Sequence, residues 1–317
     1  MNQEVDVINV VAAVLQREDG KLLVTSRPEG KHLAGYFEFP GGKLESGENS
    51  FAALVRELHE ELGIVVRSAR RLISYPYRYP QQTVHLDFWF SDDFSGTAVA
   101  HDEQTIGWVT VDELDSINLL PADSTVVTAL QLPDTLVITP DSKGNLEAIL
   151  NGLETVLTSG YRLVQFRQPS CTSGQLTSVL DQAIQIAITH DAILMANCSA
   201  VTAQQAGCDG LHLTSAILRK LHSKPAGFRW VSASIHDVEE LRLAETLNLD
   251  FVLLGPVRRT TTHPSVTPLG WDKFAAIAEQ AVIPVYALGG LSGCDLDTAW
   301  KAGAQGVAGI SGFWPAG

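Results

Sequence analysis

Apolar and polar positions along the chain follow two rhythms. From Val5 to Leu15 the sequence is dense in β-formers; it breaks at the turn Glu18-Asp19-Gly20 and resumes at Lys21–Thr25, which predicts a hairpin. After a loop comes Phe37-Glu38-Phe39-Pro40-Gly41-Gly42. Phe51, Leu54, Val55, Leu58 and Leu62 then recur at helical spacing, predicting a helix from about Ser50 to Leu62 that Gly63 stops. Further strands are expected at Arg70–Tyr75, Thr83–Phe90 and Gly107–Val111, and a helix from Ser124 to Leu130. Mixed strands around one strong helix predict an α+β sandwich.

From Asp134 the rhythm becomes a regular alternation. Strand-like runs at Leu136–Thr139, Leu163–Arg167, Ala192–Ala196, Gly210–Leu213, Trp230–Ala233, Phe251–Leu254, Pro284–Leu288 and Gly306–Gly309 are separated by helix-length segments. Eight such β segments predict a (β/α)8 barrel rather than an open sheet. Leu132-Pro133-Asp134 marks a short linker, giving domains 1–132 and 134–317. The sequence stops soon after the eighth strand, so apolar barrel surface is expected to need cover from the first domain or from a second subunit of an oligomer.

Length agrees with two domains, each able to bury a core: 317 residues, 45% of them hydrophobic. The net charge of −14 argues against nonspecific binding to nucleic acid or to an anionic membrane, which both need a basic surface. No run of about 20 apolar residues offers a membrane span, and Met1 to Asp6 does not read as a signal peptide. Cys171, Cys198, Cys208 and Cys294 show no paired spacing, so reduced thiols and a cytoplasmic location are expected.

Charge is unevenly shared: the first 133 residues hold 10 basic and 20 acidic side chains, the remainder 12 and 16. Part of the excess lies on the predicted helix, where Glu57, Glu60 and Glu61 stand at i, i+3 and i+4 on one face. Two readings are open. Crowded carboxylates suit a hard divalent cation that also takes substrate phosphates, or they form a solvated acidic face.

The order of residues bears on that choice. Gly42-Lys-Leu-Glu-Ser-Gly-Glu48 followed by Arg56-Glu57-Leu58-His59-Glu60-Glu61-Leu62-Gly63-Ile64 matches the Nudix box, Gly-x5-Glu-x7-Arg-Glu-U-x-Glu-Glu-x-Gly-U with U apolar, at every fixed position. Phe37 to Lys43 resembles the segment before the box in MutT-type enzymes, and the likeness covers roughly Val5 to Leu130. The resemblance implies an α+β Nudix fold, mixed sheets with a catalytic helix, that hydrolyses a nucleoside diphosphate linked to some group X. It implies Mg²⁺ or Mn²⁺ held by Glu57, Glu60 and Glu61 with the Gly41 carbonyl. Arg56 and Glu48 would form the ion pair that orients the helix after Gly42. Glu57 is the first choice for general base, with Glu103, or Asp102, the second; both of these could equally be loop acids without function.

Flanking residues resemble the subgroup that removes pyrophosphate from 8-oxo-dGTP. Arg27 stands near the purine in that likeness, and Phe39 lines the nucleoside pocket unless it is simply core. Leu120-Pro121-Ala122-Asp123 resembles a Pro-Ala-Asn segment whose Asn reads the purine edge. An amide donates and accepts, whereas an ionised carboxylate only accepts. Asp123 could therefore replace that amide fully only as a protonated acid, which requires a raised pKa. Alternatively it caps the following helix.

The second half resembles the thiamine phosphate synthase family, including its TenI-like tautomerase branch, from about Thr135 to Trp314. The likeness rests on Val164-Gln165-Phe166-Arg167, Asp209-Gly210-Leu211-His212-Leu213, Leu254-Gly255-Pro256, Ala287-Leu288-Gly289-Gly290, Gly303 to Val307 and Ser311-Gly312. It implies an α/β (β/α)8 TIM-type barrel with a phosphate site at Gly289, Gly290, Ser311 and Gly312. Thr260 and Thr262 would be pyrophosphate contacts, Arg167 and Asn197 further ligand contacts, and His236 an acid/base. Both metal-binding Asp residues of the synthase are missing: Asn197-Cys198 stands at the first, and His212-Leu-Thr-Ser215 lacks the second. Gln168 and His263 replace two lysines. The barrel is thus expected to be degenerate for synthase activity.

Together these readings predict a Mg²⁺-dependent, MutT-like nucleoside triphosphate pyrophosphohydrolase acting on a small-molecule substrate such as 8-oxo-dGTP. The alternative is hydrolysis of a thiamine-pathway pyrophosphate, with the barrel as a TenI-like tautomerase or a module binding a phosphorylated thiazole or thiamine ligand.

Overall fold

The computed structural model describes residues 7–30, 32–99, 104–260 and 266–315. The chain divides into two compact units, Met1–Gln131 and Leu132–Gly317.

The first unit contains β1 (Val7–Leu15), β2 (Leu22–Ser26), β3 (Phe37–Glu38), β4 (Gly41–Lys43), α1 (Ser50–Leu62), β5 (Val65–Arg78), β6 (Thr83–Ser95), β7 (Ile106–Val109) and α2 (Ser124–Gln131). One mixed sheet has the order β4-β1-β6-β5, with β1 parallel to β6; a second has the order β3-β2-β7. The expected hairpin between β1 and β2 survives only as a turn. Arg17 N–H bonds Lys21 O at 3.0 Å, one bridge joins Gln16 to Leu22, and the strands then enter different sheets. The reason is competition: β1 pairs with β6 along its whole length and with β4 on its other edge.

Helix α1 forms where the apolar spacing places it. Asn49 caps its start by accepting from the Ala52 N–H, and Gly63 ends it in the left-handed region at φ 67°. Ala53, Leu54, Leu58 and Leu62 are fully buried against Val11, Ala13, Leu15 and Leu23. Each such leucine contributes roughly 1.5–3 kcal/mol by leaving water. That burial fixes the opposite face of α1, where the carboxylates stand.

The second unit contains β8 (Thr135–Ile138), α3 (Leu146–Thr158), β9 (Leu163–Phe166), α4 (Ser173–Thr189), β10 (Ile193–Ala196), α5 (Ala200–Gln205), β11 (Gly210–Leu213), α6 (Ser215–Leu218), β12 (Trp230–Ile235), α7 (Val238–Thr246), β13 (Phe251–Leu254), α8 (Gly270–Ala278), β14 (Val285–Leu288), α9 (Leu296–Lys301) and β15 (Gly306–Gly309). The strands close as a parallel barrel, β15 pairing with β8. Leu136, Leu163, Met195, Trp230, Phe251 and Tyr286 belong to one apolar cluster, while alternate residues such as Val137, Val164 and Val252 join the cluster that includes the helices. Burial on both faces is why these strands read as continuous apolar runs. Beyond β15, Phe313 meets Tyr161 edge-on at 5.8 Å and the Trp314 ring lies against Gly152 of α3. Part of the surface expected to need cover is thus covered by the unit's own aromatic residues.

Candidate active site

At the start of the box, β4 lies on the edge of its sheet and feeds α1. The Ala13 N–H bonds Pro40 O at 2.8 Å and the Leu44 N–H bonds Asn9 O at 3.0 Å. Antiparallel alternation between these points turns the Gly41 carbonyl away from β1. Gly42 makes a second demand: a Cβ there would strike the Glu57 carboxyl group. Only glycine lets that carboxylate lie against the β4 backbone.

Arg56 organises the carboxylates. Its Nε and Nη2 each donate to Glu48 at 3.0 Å, Nη2 also donates to Lys43 O at 3.1 Å, and Nη1 reaches Glu57 at 2.9 Å and Glu60 at 3.3 Å. The guanidinium holds the Glu48 carboxyl below the usual carboxylate range, and its own pKa is raised by Glu48 and then Glu57. Glu57 is 15% exposed and Glu60 60%, so the three acids of α1 are not equivalent. Among the described residues no three His, Cys, Asp or Glu side chains already converge as a metal cage. The donor set is nonetheless all oxygen, three carboxylates and the Gly41 carbonyl, which is what a hard divalent cation takes. With the Gly42 cradle holding Glu57, these residues fit such an ion. Asp102 and Glu103 lie outside the described residues.

Gly41 also lines a cavity of about 250 Å³ walled by Arg27, Glu38, Phe39, Tyr79, Phe88 and Asp123. Phe39 is 4% exposed and meets Phe88 edge-on at 6.1 Å, so it is both core and cavity wall. Arg27 Nη1 donates to Glu38 Oε2 at 2.6 Å. Asp123 is 4% exposed and sits at the end of a 3-10 turn, Pro121–Asp123, that leads into α2. Burial pushes its carboxyl up to about 8; the Glu38 charge adds to the rise, while the Phe39 N–H and Arg27 oppose it. A carboxyl raised in this way favours its protonated form, which can donate as well as accept. Its Oδ2 and the Arg27 Nε are buried without a hydrogen-bond partner among the described residues. Two orphaned polar atoms in one cavity leave bonding capacity open to a water or a ligand. Sequence reasoning missed Glu38 and Tyr79. Glu38 lies within the segment from Phe37 to Lys43 but its pairing with Arg27 is tertiary, and Tyr79 follows β5 outside any motif.

In the barrel, those of the named residues that are described lie at the C-terminal strand ends, and the side chains of Asn197, Gln168 and His236 are hydrogen-bonded. Thr139 Oγ1 accepts from the Arg167 N–H at 2.9 Å, and Asn197 Nδ2 donates to His212 O at 3.0 Å. Gln168 donates to Pro140 O and accepts from the Ser142 N–H, both at 2.9 Å, so its amide ties down a loop. His236 Nδ1 donates to Gly255 O at 2.6 Å, leaving Nε2 as the ring's basic atom, and the His236 backbone N–H donates to buried Glu240 at 2.7 Å. Gly289 and Gly290 pack so tightly against Pro256 and Arg259 O that a Cβ would approach them to 2.7 and 2.9 Å; Gly312, beside Ser311, is similarly close to Ser292. Thr260 ends the described loop after β13, and Thr262 and His263 lie outside the described residues.

Comparison with known proteins agrees with this division. Residues 7–130 match the NUDIX domain model, and residues 135–313, more than half the chain, match the thiamine monophosphate synthase model. The chain belongs to the Nudix family through its first unit and to the thiamine monophosphate synthase family through its second, and its first unit makes it an enzyme of the Nudix hydrolase class. The first unit is 42% identical over 116 residues to a CTP pyrophosphohydrolase of Escherichia coli, covering 37% of this chain and 85% of the relative. It is 33% identical over 121 residues to an 8-oxo-dGTP diphosphatase of Haemophilus influenzae, covering 38% and 89%. The second unit is 32% identical over 190 residues to a putative thiamine-phosphate synthase 2 of Aquifex aeolicus, covering 58% and 99%. No helix among the described residues is long and apolar enough to cross a membrane.

Proposed function

We propose that the first unit is a Mg²⁺-dependent nucleoside triphosphate pyrophosphohydrolase, converting a (d)NTP and water to the monophosphate and pyrophosphate. The observation that carries this reading is that the Gly42 cradle holding the Glu57 carboxylate directly follows Gly41, which lines the cavity holding Asp123. Glu57, Glu60, Glu61 and the Gly41 carbonyl would hold the cation, which supplies charge neutralisation on the phosphates and a more acidic water. Arg56 fixes the carboxylates in position through its fork to Glu48. Glu57 is the first choice to accept the proton of the attacking water, with Glu103 second. Phe39 and Phe88 give the base an apolar wall, and Arg27 and the protonated Asp123 read its edge.

A protonated carboxyl offers the donor and acceptor that an amide would. That pattern pairs with O6 and N7–H of 8-oxoguanine, and equally with N3 and the 4-amino group of cytosine. The test is a comparison of kcat/KM for 8-oxo-dGTP, CTP, dCTP, hydroxymethylpyrimidine pyrophosphate and thiamine diphosphate with Mg²⁺. One of the nucleotides is expected to lead by at least about tenfold, the step that 1.4 kcal/mol of discrimination gives. Preference for a thiamine-pathway compound overturns the proposal in favour of the alternative.

For the barrel, the His236 geometry supports a TenI-like acid/base role on a phosphorylated thiazole rather than synthase chemistry. The Nδ1–H to Gly255 O bond fixes the tautomer and leaves Nε2 to take or give a proton. Calorimetry of the full chain with thiazole phosphate tests it: binding in the millimolar range or better is expected, and its absence counts against a ligand role.

A further inference from the structure

The cavity of the first unit holds an ion pair with no part in the box. Arg27 Nη1 meets Glu38 Oε2 at 2.6 Å, and both side chains are 23% exposed. The same cavity is lined by Asp123, whose Oδ2 is buried without a partner among the described residues. A guanidinium beside a buried carboxyl ordinarily drives that carboxyl to ionise. Here a second carboxylate has taken the guanidinium first.

We propose that Glu38 is a specificity-determining residue that acts through Asp123: by engaging Arg27 it withholds that charge from Asp123, which stays an acid able to donate to the base. The inference rests on the reading of this cavity as the base site.

Glu38 acts in two ways. It pairs with Arg27, the guanidinium that lowers Asp123, and as an anion it disfavours a second negative charge in the same cavity. His32 and Lys43 also line the cavity, but neither is among the groups that shift Asp123. Tyr75 on β5 and Tyr79 beyond it both interact with the Asp123 charge, and burial keeps both phenols neutral by raising them. The Phe39 N–H, from the end of β3, favours the ionised form. Among the described residues, Arg27 and Glu38 are the full charges that shift Asp123, and they are paired with each other.

The consequence concerns which base edge is accepted. A protonated Asp123 suits an edge with an acceptor beside a donor, as cytosine N3 and N4 present. An ionised Asp123 has only acceptors and suits two adjacent donors, as unmodified guanine presents at N1–H and N2–H. Glu38 therefore selects against unmodified guanine without touching the base.

Glu38→Gln tests this in the full chain. Carboxyl ¹³C NMR, with Asp123 assigned by Asp123→Asn, follows the titration with no nucleotide or turnover. Glu38→Gln is expected to lower the Asp123 midpoint by about one unit or more, the effect of a freed guanidinium, and the double variant Glu38→Gln/Arg27→Gln to raise it again. An unchanged midpoint overturns the proposal, whatever the substrate proves to be. In turnover, the alkaline fall of kcat/KM for CTP is expected to move to lower pH in Glu38→Gln, with GTP gaining relative to CTP. In the Asp123→Asn background, which cannot titrate, Glu38→Gln is expected to leave the profile unmoved; a shift there shows that Glu38 acts by another route. If no nucleotide is hydrolysed at all, the functional proposal fails while the NMR result still decides this one.

Discussion

The Glu57 carboxylate occupies the space that a side chain on Gly42 would need. Strand β4 and helix α1 are therefore matched through one glycine. Gly42→Ala is expected to push Glu57 away and to weaken Mn²⁺ binding and kcat/KM by ~10–100-fold, the usual cost of disturbing a ligand's support. Metal titration followed by electron paramagnetic resonance, alongside steady-state kinetics, checks it. Wild-type metal affinity in Gly42→Ala would show that the cradle does not matter.

Arg56 forks onto Glu48 through two nitrogens while a third reaches Glu57 and Glu60. A lysine ammonium keeps the charge but cannot span these acceptors. Arg56→Lys is expected to lower kcat/KM by about tenfold or more. Activity within twofold of wild type would place the importance in charge alone.

Asp123 also leaves a signature in stability. Its carboxyl titrates at about 8 in the folded chain against an ordinary 3.8. Between those values the folded state keeps a proton that the unfolded state loses, so the burial cost grows with pH, by about 1.4 kcal/mol per unit, and levels off above the folded pKa. Asp123→Asn removes this slope. The Tm difference, variant minus wild type, is expected to be larger at pH 8 than at pH 5; an equal difference at both would contradict a buried protonated acid.

His212 behaves in the opposite sense. It is 1% exposed between the Ser232 and Ser234 hydroxyls, at 2.8 and 2.9 Å, and burial lowers its pKa to about 3. The unfolded chain protonates it below about 6.5 while the folded barrel does not, so its contribution is lost as pH falls from that value toward 3. The urea midpoint of the barrel transition is expected to drop between pH 7 and pH 4.5, and less so in His212→Gln. A variant with the wild-type acid slope would exclude His212 as the source.

Much of the architecture was readable in the order of residues. The barrel strands are short, buried on both faces and separated by helix-length segments, so Gly210–Leu213, Phe251–Leu254 and Gly306–Gly309 are strands with the expected bounds. Helix α1 has its apolar spacing and its Gly63 stop in the sequence, while the Asn49 cap is seen only in the structure. The turn at Glu18-Asp19-Gly20 gave no sign that β1 and β2 would separate, because the partners that draw them apart are remote in sequence. The cavity lined by Asp123 was legible only in part. Asp123 could be suspected of needing a proton, but the burial that supplies the shift and the Arg27–Glu38 pair are tertiary.

Nucleotide hydrolysis by the first unit would be organised by the α1 carboxylates. Its most direct test is product analysis of the full chain with Mg²⁺ and each nucleoside triphosphate, for wild type and Glu57→Gln. Monophosphate and pyrophosphate in equal amounts are expected, with the rate falling about 10²–10⁴-fold in the variant. Orthophosphate as the product, or wild-type turnover in Glu57→Gln, would contradict it.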